Sequence, residues 1–355
     1  MLIDGAHLGK VSNKKLTSPE VSVVMSVYDG EKYLAEAIES ILDQTLTDFE
    51  FIIIDDGSTD DSLAIIQKYS KQDERVIIVQ NDKNIGLAAS LNKGIQLAKG
   101  EFIARMDADD ISYKNRLEIQ IQRMRRDPKL LILGSAVDVI DENLIIRNKI
   151  YPPTAPVEIF WSIVTACKIP FIHPTVIFRN VFFSKVGFYD ANVSAGQDYN
   201  LFSRIVISEI PVECVGNLSE KLLQYRVQRD NVSHRERKKQ VENGSMARKQ
   251  MYIFLAGLSA HEADGKNEAD FLLQTGNLVS YISTYRDLLL LFVKKYRLNL
   301  SEKKDLEKLM LEHLGRRIAL NEVFQMRKQS FFSLEEWLKI LASKLKFKIK
   351  MIYGN

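Results

Sequence analysis

Four short apolar runs without polar alternation constrain this chain most. They are Val21–Tyr28 (VSVVMSVY), Phe49–Ile54 (FEFIII), Arg75–Gln80 and Glu101–Met106. A strand with one wet face alternates apolar and polar residues. A continuous apolar run suits a strand covered on both faces. Between the runs the spacing changes to that of amphipathic helices. Tyr33, Leu34, Ala37, Ile38, Ile41 and Leu42 recur at three- and four-residue steps, as do Leu87, Leu91, Ile95 and Ala98, and then Leu117, Ile121 and Met124. Strands alternating with helices predict βαβ units and a mostly parallel sheet flanked by helices, an α/β fold. After about Tyr225 the character shifts. Asp230–Gln250 is polar and rich in Arg and Lys, and the rest of the chain lacks proline and keeps helical spacing at Leu288, Leu291 and Phe292. The expected organisation is an N-terminal extension (residues 1–20), an α/β catalytic domain (21–230) and a C-terminal helical region with a basic tail (231–355).

Composition removes several classes of function. Cys167 and Cys214 are the only cysteines, so a disulfide framework and a four-cysteine zinc site are excluded. So few cysteines fit a reducing compartment. With 49 basic against 46 acidic residues, charge gives no reason to expect a nucleic-acid partner. No apolar run reaches the roughly 18–20 residues that span a bilayer. Met1–Glu20 lacks the apolar core of a signal peptide. The expected location is cytoplasmic. Lys339–Lys350 holds five lysines and no acid, interleaved with Ile340, Leu341, Leu345, Phe347 and Ile349. It reads either as a tail lying on the anionic inner face of the membrane or as the solvated end of a last helix.

In an open parallel sheet, ligands bind at the carboxyl ends of the strands. Here those ends carry acids. The first run leads into Tyr28-Asp29-Gly30, the second into Asp55-Asp56-Gly57-Ser58, and the fourth into Asp107-Ala108-Asp109-Asp110. Clustered carboxylates repel unless a cation sits among them. Asp107 and Asp109, two apart past a strand, can turn both carboxylates to one point. Their hard oxygens suit Mg²⁺ or Mn²⁺ with open positions for phosphate. The plainer reading is that these aspartates fill a turn and cap the helix beginning near Lys114, a role that suits Asp110. Asp55–Asp60 likewise reads as a turn with Ser58 or Asp60 capping the next helix, or as a carboxylate offered to a base or ribose hydroxyl, with Gly57 allowing close approach. Neither a GxxxxGK[ST] phosphate loop nor a GxGxxG dinucleotide loop is present.

Four stretches in order, VSVVMSVYDGEKYLAEAIESILDQT, FIIIDDGSTDDS, NIGLAASLNKGIQLAKGEFIARMDADD and GQDYNLFSRI, resemble the family 2 glycosyltransferases of GT-A fold. They span about Val21–Arg229, a little over half of the chain. The resemblance is closest to bacterial enzymes that build capsule, O-antigen or exopolysaccharide. It implies that Tyr28 and Asp55 contact the base of the nucleotide, usually uracil, and that Asn84 lies near the same pocket. It implies Asp107 near ribose and metal with the Ala108 backbone beside it, Asp109 as the metal ligand to the diphosphate, and Asp198 as general base. Where the family commonly has Glu-Asp, this chain has Gln197-Asp198, which leaves any role of the acidic neighbour without a bearer. Where many relatives place an arginine before the third motif's asparagine, this chain has Leu91-Asn92, and that role is not carried to Arg105. His173 sits where the family often has histidine. It reads as a packed structural residue or as a ligand to diphosphate or metal. Arg226 and Arg229 read as cations over the diphosphate or as a solvated loop. Phe160 and Trp161 suit the core better than an acceptor groove.

The resemblance implies inverting displacement at the anomeric carbon of a nucleotide-sugar, a UDP-sugar above others, with Mn²⁺ or Mg²⁺. The acceptor would be a glycan, above all a lipid-linked oligosaccharide. Two other classes stand beside it: a sugar nucleotidyltransferase, whose glycine-rich basic loop after the first strand is missing at Tyr28–Lys32, and a non-catalytic sugar-nucleotide-binding module.

Overall fold

A computed structural model of the protein describes residues 18–166, 168–227, 236–256, 288–289, 291–299, 301–306 and 308. The four apolar runs form β1 (Val21–Val27), β2 (Phe49–Asp55), β3 (Val76–Gln80) and β4 (Phe102–Asp107). They pair in parallel in the order β3-β2-β1-β4. The missing alternation has its reason in two separate cores. In β1, Val21, Val23, Met25 and Val27 pack on one face and Val24 on the other, and in β2 Phe51 and Ile53 oppose Ile52 and Ile54.

The helices that follow supply the covers: α1 (Glu31–Leu42), α2 (Ser62–Gln72), α3 (Leu87–Leu97) and α4 (Arg116–Arg126). Leu34, Ile38 and Ile41 of α1 join Leu117, Ile121 and Met124 of α4 on one face, while Leu91 and Ile95 of α3 lie on the other. Helices α1, α3 and α4 thus bury most of the stripe their spacing announced. Every CH₂ so buried contributes about 0.8 kcal/mol against the entropy of ordering.

Beyond β4 the sheet becomes mixed. Two-residue β5 (Ile111–Ser112) pairs antiparallel with β9 (Val215–Arg226). Strand β6 (Ile132–Ile140) runs parallel to β9 and antiparallel to β7 (Ile146–Ile150) and β8 (Ile177–Arg179). Strand β8 closes the gap between β4 and β6. Nine strands among the described residues thus form one sheet. The expected α/β architecture, a sheet flanked by helices, is what the structure shows, with a parallel half (β3-β2-β1-β4) joined to a mixed half, so that four of the eight described strand pairings are antiparallel.

The segment from Asp138 to Phe171 holds the end of β6, all of β7 and α5 (Pro156–Thr165). Phe160 and Trp161 of α5 are fully buried. After short α6 (Val181–Val186), α7 (Gln197–Ile207) packs between α5 and α8 (Arg237–Ala256). Met251, Leu255, Leu288 and Phe292 share this core, with the Phe292 ring edge-on to Trp161 at 5.5 Å. The described part of the C-terminal helical region therefore builds on the same face as α3, α5 and α7. Arg229 and the basic tail Lys339–Lys350 lie outside the described residues.

Candidate active site

The order β3-β2-β1-β4 places a topological switch at the end of β1, where an open α/β sheet forms its ligand crevice. Register then fixes which acids meet there. Val27 of β1 pairs with Asp55, and its neighbour Ser26 pairs with Asp107. The two aspartates flank the last rungs of one strand. Two interstrand spacings separate their backbones, about 10 Å, the scale of a nucleoside.

The two acids after β2 divide their work. Asp56 is 2% exposed and satisfied: it accepts from Asn81 Nδ2 at 2.8 Å, Ile85 N at 2.9 Å and Gly86 N at 2.9 Å. It folds the loop into α3. Asp55 is fully buried, and its Oδ2 has no hydrogen-bond partner among the described residues. An unmet buried acceptor costs about 1–3 kcal/mol, which a donor reaching this oxygen would recover. Gly57 is held at φ +72°, and a Cβ there would lie 2.6 Å from the Lys83 carbonyl carbon. The loops after β2 and β3 can touch only because this residue has no side chain. Asn84 sits at that contact, its Oδ1 accepting from Gly86 N at 3.0 Å, and Tyr28 stands half-exposed at the rim.

One capping expectation holds in part and one is corrected. Helix α2 begins at Ser62 after Asp61, and Asp60 Oδ1 accepts the Ser62 N–H at 3.0 Å, so of the two expected caps Asp60 serves and Ser58 does not. Both side chains also join the loops after β1 and β2: Ser58 Oγ accepts from Asp29 N, Asp60 Oδ2 from Glu31 N, and Asp29 Oδ1 from Thr59 N. Asp110 does not cap α4, which starts at Arg116 after Asn115. It is fully buried and accepts the Arg226 backbone N–H at 2.8 Å. At Asp110 a tertiary partner outcompetes the local cap.

Asp107, Asp109 and Asp110 each place an oxygen within 4.8 Å of the others. Burial, and next the charge of Asp107, raise Asp109 from 3.8 to about 6. Burial with Asp107 and Asp109 pushes Asp110 well up. Three cations answer them. Arg105, 5% exposed, is ion-paired to Asp107, and its Nε finds no hydrogen-bond partner among the described residues. Arg116 lies buried beneath, donating to the Arg105 carbonyl at 2.7 Å. Arg226 is 1% exposed, so it is no solvated loop. Its Nε donates to the Asp109 carbonyl at 2.8 Å, its Nη2 to Glu36 at 2.6 Å, and its guanidinium lies 4.1 Å from the Tyr33 ring centre. Ala108 packs beside Gly30 of the first loop.

Burial is the first cause of both rises, the neighbouring carboxylates add to it, and Arg105 acts against it. The donor set, hard carboxylate oxygens in close reach, fits Mg²⁺ or Mn²⁺. His173 stands outside that group. It is nearly buried, its Nε2 lies 2.7 Å from the Tyr189 hydroxyl, and burial with the nearby Arg105 charge pushes its pKa well down. A neutral imidazole packed on Tyr189 and Phe202 is what the structure gives.

Asp198 lies in the first turn of α7, which is capped by Gly196 in the left-handed region, so Asp198 is not the N-cap. Burial raises its pKa, while the Tyr199 backbone N–H and Arg105 act against the rise. Arg105 and Asp107 both act on its charge, so the acid from α7 and the cluster after β4 share one electrostatic site. Burial raises the Tyr189 hydroxyl, and the charges of Arg105, Asp198 and Asp107 all act on it. Asn92 clamps its backbone in both directions, donating to Tyr189 O at 2.8 Å and accepting from Tyr189 N at 3.0 Å. Arg204 holds the same segment through Val186 O and Phe188 O.

Sequence reasoning missed Arg105 as the partner of Asp107, although a charge inside a buried strand must find a counter-charge. It missed Asn92–Tyr189, a contact across 97 residues that no local pattern announces.

With this geometry in place, the comparisons are specific. The profile described as Glycosyl transferase family 2 matches residues 22–187. A glycosyltransferase of Methanocaldococcus jannaschii is 34% identical over 230 residues, covering 64% of this chain and 78% of that protein. The amylovoran biosynthesis glycosyltransferase AmsE of Erwinia amylovora is 33% identical over 217 residues, covering 60% and 79%. Among solved structures, S. aureus TarS with UDP-GlcNAc superposes with a TM-score of 0.54 at 16% identity, covering 88% of this chain and 93% of that one, a likeness of fold.

Proposed function

From the premise that the chain belongs to glycosyl transferase family 2 and is a glycosyltransferase, we propose that it moves a sugar, with inversion, from a UDP-sugar to a hydroxyl of a glycan acceptor. The acceptor class is a lipid-linked oligosaccharide of bacterial surface polysaccharide, in keeping with the amylovoran enzyme among its relatives. One observation carries the reading. A buried carboxylate oxygen without a partner among the described residues (Asp55) and a cluster of three acids (Asp107, Asp109, Asp110) lie at one rim of the sheet, and a separate raised acid (Asp198) is near enough for its charge to be acted on by Asp107 and Arg105.

The roles follow from the chemistry. Asp55 Oδ2 accepts a hydrogen bond from the base, with Tyr28 and Asn84 bordering it. Asp109 and Asp107 would hold a divalent ion, Mn²⁺ or Mg²⁺, which would supply Lewis-acid stabilisation of the diphosphate leaving group. Arg226 fixes the Asp109 backbone through its carbonyl and adds positive charge beside the diphosphate. The Asp198 carboxylate takes the proton from the acceptor hydroxyl as that oxygen bonds to C1. The C1–O bond to the diphosphate breaks, and its electron pair leaves with the nucleotide. Desolvation makes Asp198 a stronger base than a solvated aspartate, and such assistance is worth about 10²–10⁴-fold. Neutral His173, set by Tyr189, is a polar wall that adds no charge.

A donor screen tests the proposal. Released UDP that depends on Mn²⁺ or Mg²⁺ and rises with acceptor is expected. Pyrophosphate release from a nucleoside triphosphate, or binding without turnover, would overturn it.

A further inference from the structure

Beside Arg226, at the ligand end of the sheet, the hairpin joining β6 to β7 presents an aliphatic tip to solvent. Leu144, Ile145 and Ile146 are 47%, 49% and 47% exposed, and Tyr151 just past β7 is 58% exposed. A single exposed leucine is ordinary, whereas three consecutive aliphatics at a hairpin tip are not.

The tip is rigid. Asp141 Oδ1 accepts from Asn143 N at 2.9 Å and Ile145 N at 3.0 Å, and Arg147 Nε donates to Asp141 Oδ2 at 2.7 Å. Asp141 N donates to Ile145 O and Leu144 N to Asp141 O. Leu144 is held at φ +62°, a region that glycine or asparagine enters at lower cost. A strained backbone thus holds a large apolar side chain in water.

Position and charge point to the occupant. Ile140, where the hairpin departs, pairs with Arg226, and Val227 N donates to Ile140 O at 3.0 Å. Lys32, at the start of α1, pairs with Glu142 at 3.5 Å and ties the tip to the loop after β1. Both acids of the turn are matched by bases, Asp141 by Arg147 and Glu142 by Lys32, and Lys149 adds a further positive charge. An apolar tip whose acids are each matched by a base, with Lys149 left over as a net positive charge, suits a segment that enters an anionic headgroup layer.

We infer that the Leu144-Ile145-Ile146 tip inserts into the surface of an anionic bilayer and turns the mouth of the sugar-transfer site toward it. This deepens the lipid-linked acceptor proposed above and rests on it for its purpose. It is separate from the basic tail, which lies outside the described residues.

The test is co-sedimentation of the full chain with vesicles of equal parts phosphatidylcholine and phosphatidylglycerol, with phosphatidylcholine alone as comparison. The chain is expected to bind the anionic vesicles. The double variant Leu144→Ser, Ile145→Ser is expected to lose about tenfold or more of its partition coefficient, since two aliphatic groups no longer enter the layer. Its acceptor-independent release of UDP from donor stays within about twofold of the parent, which also shows that it folds. A Leu144→Trp variant is expected to show a fluorescence blue shift with anionic vesicles. Binding by the double variant equal to the parent, or no binding by the parent, overturns the inference. So does lipid-free dimerisation that the double variant abolishes, because the tip's occupant is then a second copy. Loss of all donor turnover by the parent would sink the functional reading while leaving the vesicle result legible.

Discussion

Asparagine in place of Asp109 should stabilise the metal-free protein while removing its response to metal and nucleotide. Burial and Asp107 raise the Asp109 carboxyl from 3.8 to about 6 in the folded chain. The folded state therefore holds this proton more tightly than the unfolded state. The stability it contributes is full below about pH 4, falls as pH rises to about 6, and stays low above that. At its full size the difference amounts to about 3 kcal/mol. The side chain is partly open to solvent and shares its charge with two neighbours, so about 1–3 kcal/mol is the working range. For a domain near 200 residues that is about 3–10 °C. Calorimetry with EDTA at pH 8 and at pH 4 measures it. Asp109→Asn should melt several degrees above the parent at pH 8, and the gap should close at pH 4. Mn²⁺ with UDP should raise the parent's melting temperature and leave the variant's unchanged. An equal gap at both pH values, no gap at pH 8, or a variant still stabilised by Mn²⁺ with UDP would refute the reasoning.

Three further outcomes follow from the same geometry. Asp198→Asn should lower the transfer rate by about 10²–10⁴-fold while UDP binding by calorimetry is unchanged. In the parent, kcat should fall on the acid side with a midpoint above the ordinary aspartate value of 3.8, because the base must be ionised and burial raises it. Gly57→Ala should cost about 1–3 kcal/mol and weaken UDP binding, as its methyl would meet the Lys83 backbone at a φ of +72°. Denaturant melts and nucleotide titration check both parts. Tyr189→Phe removes the partner of His173 Nε2, and a loss of about 1 kcal/mol in stability with a lower kcat at unchanged donor KM is expected.

Much of the fold was legible because its signals are local. Runs such as FEFIII announce strands covered on both faces, and acids after β1, β2 and β4 sit where such a sheet binds ligands. What stayed hidden depends on long-range pairing. Strands β6 and β9 pair in parallel across the tail of the sheet, and β5 is two residues long, too short to carry a period. Asp110 looks like a cap in sequence, yet the Arg226 backbone N–H claims it through folding, while Asp60 holds both the first N–H of α2 and the Glu31 N–H. Asp55 and Asp56 are indistinguishable as letters. Only the loop before α3, which satisfies one and leaves an oxygen of the other bare, separates them. Arg105 was readable in principle, since a cation in a buried strand two residues before one acid and four before another has few other partners.

The most direct measurement is a crystal structure with UDP and Mn²⁺. The account predicts the ion on the Asp107 and Asp109 carboxylates, bridging to the diphosphate, with uracil hydrogen-bonded to Asp55 Oδ2. Those three side chains turned away from ion and nucleotide would contradict it.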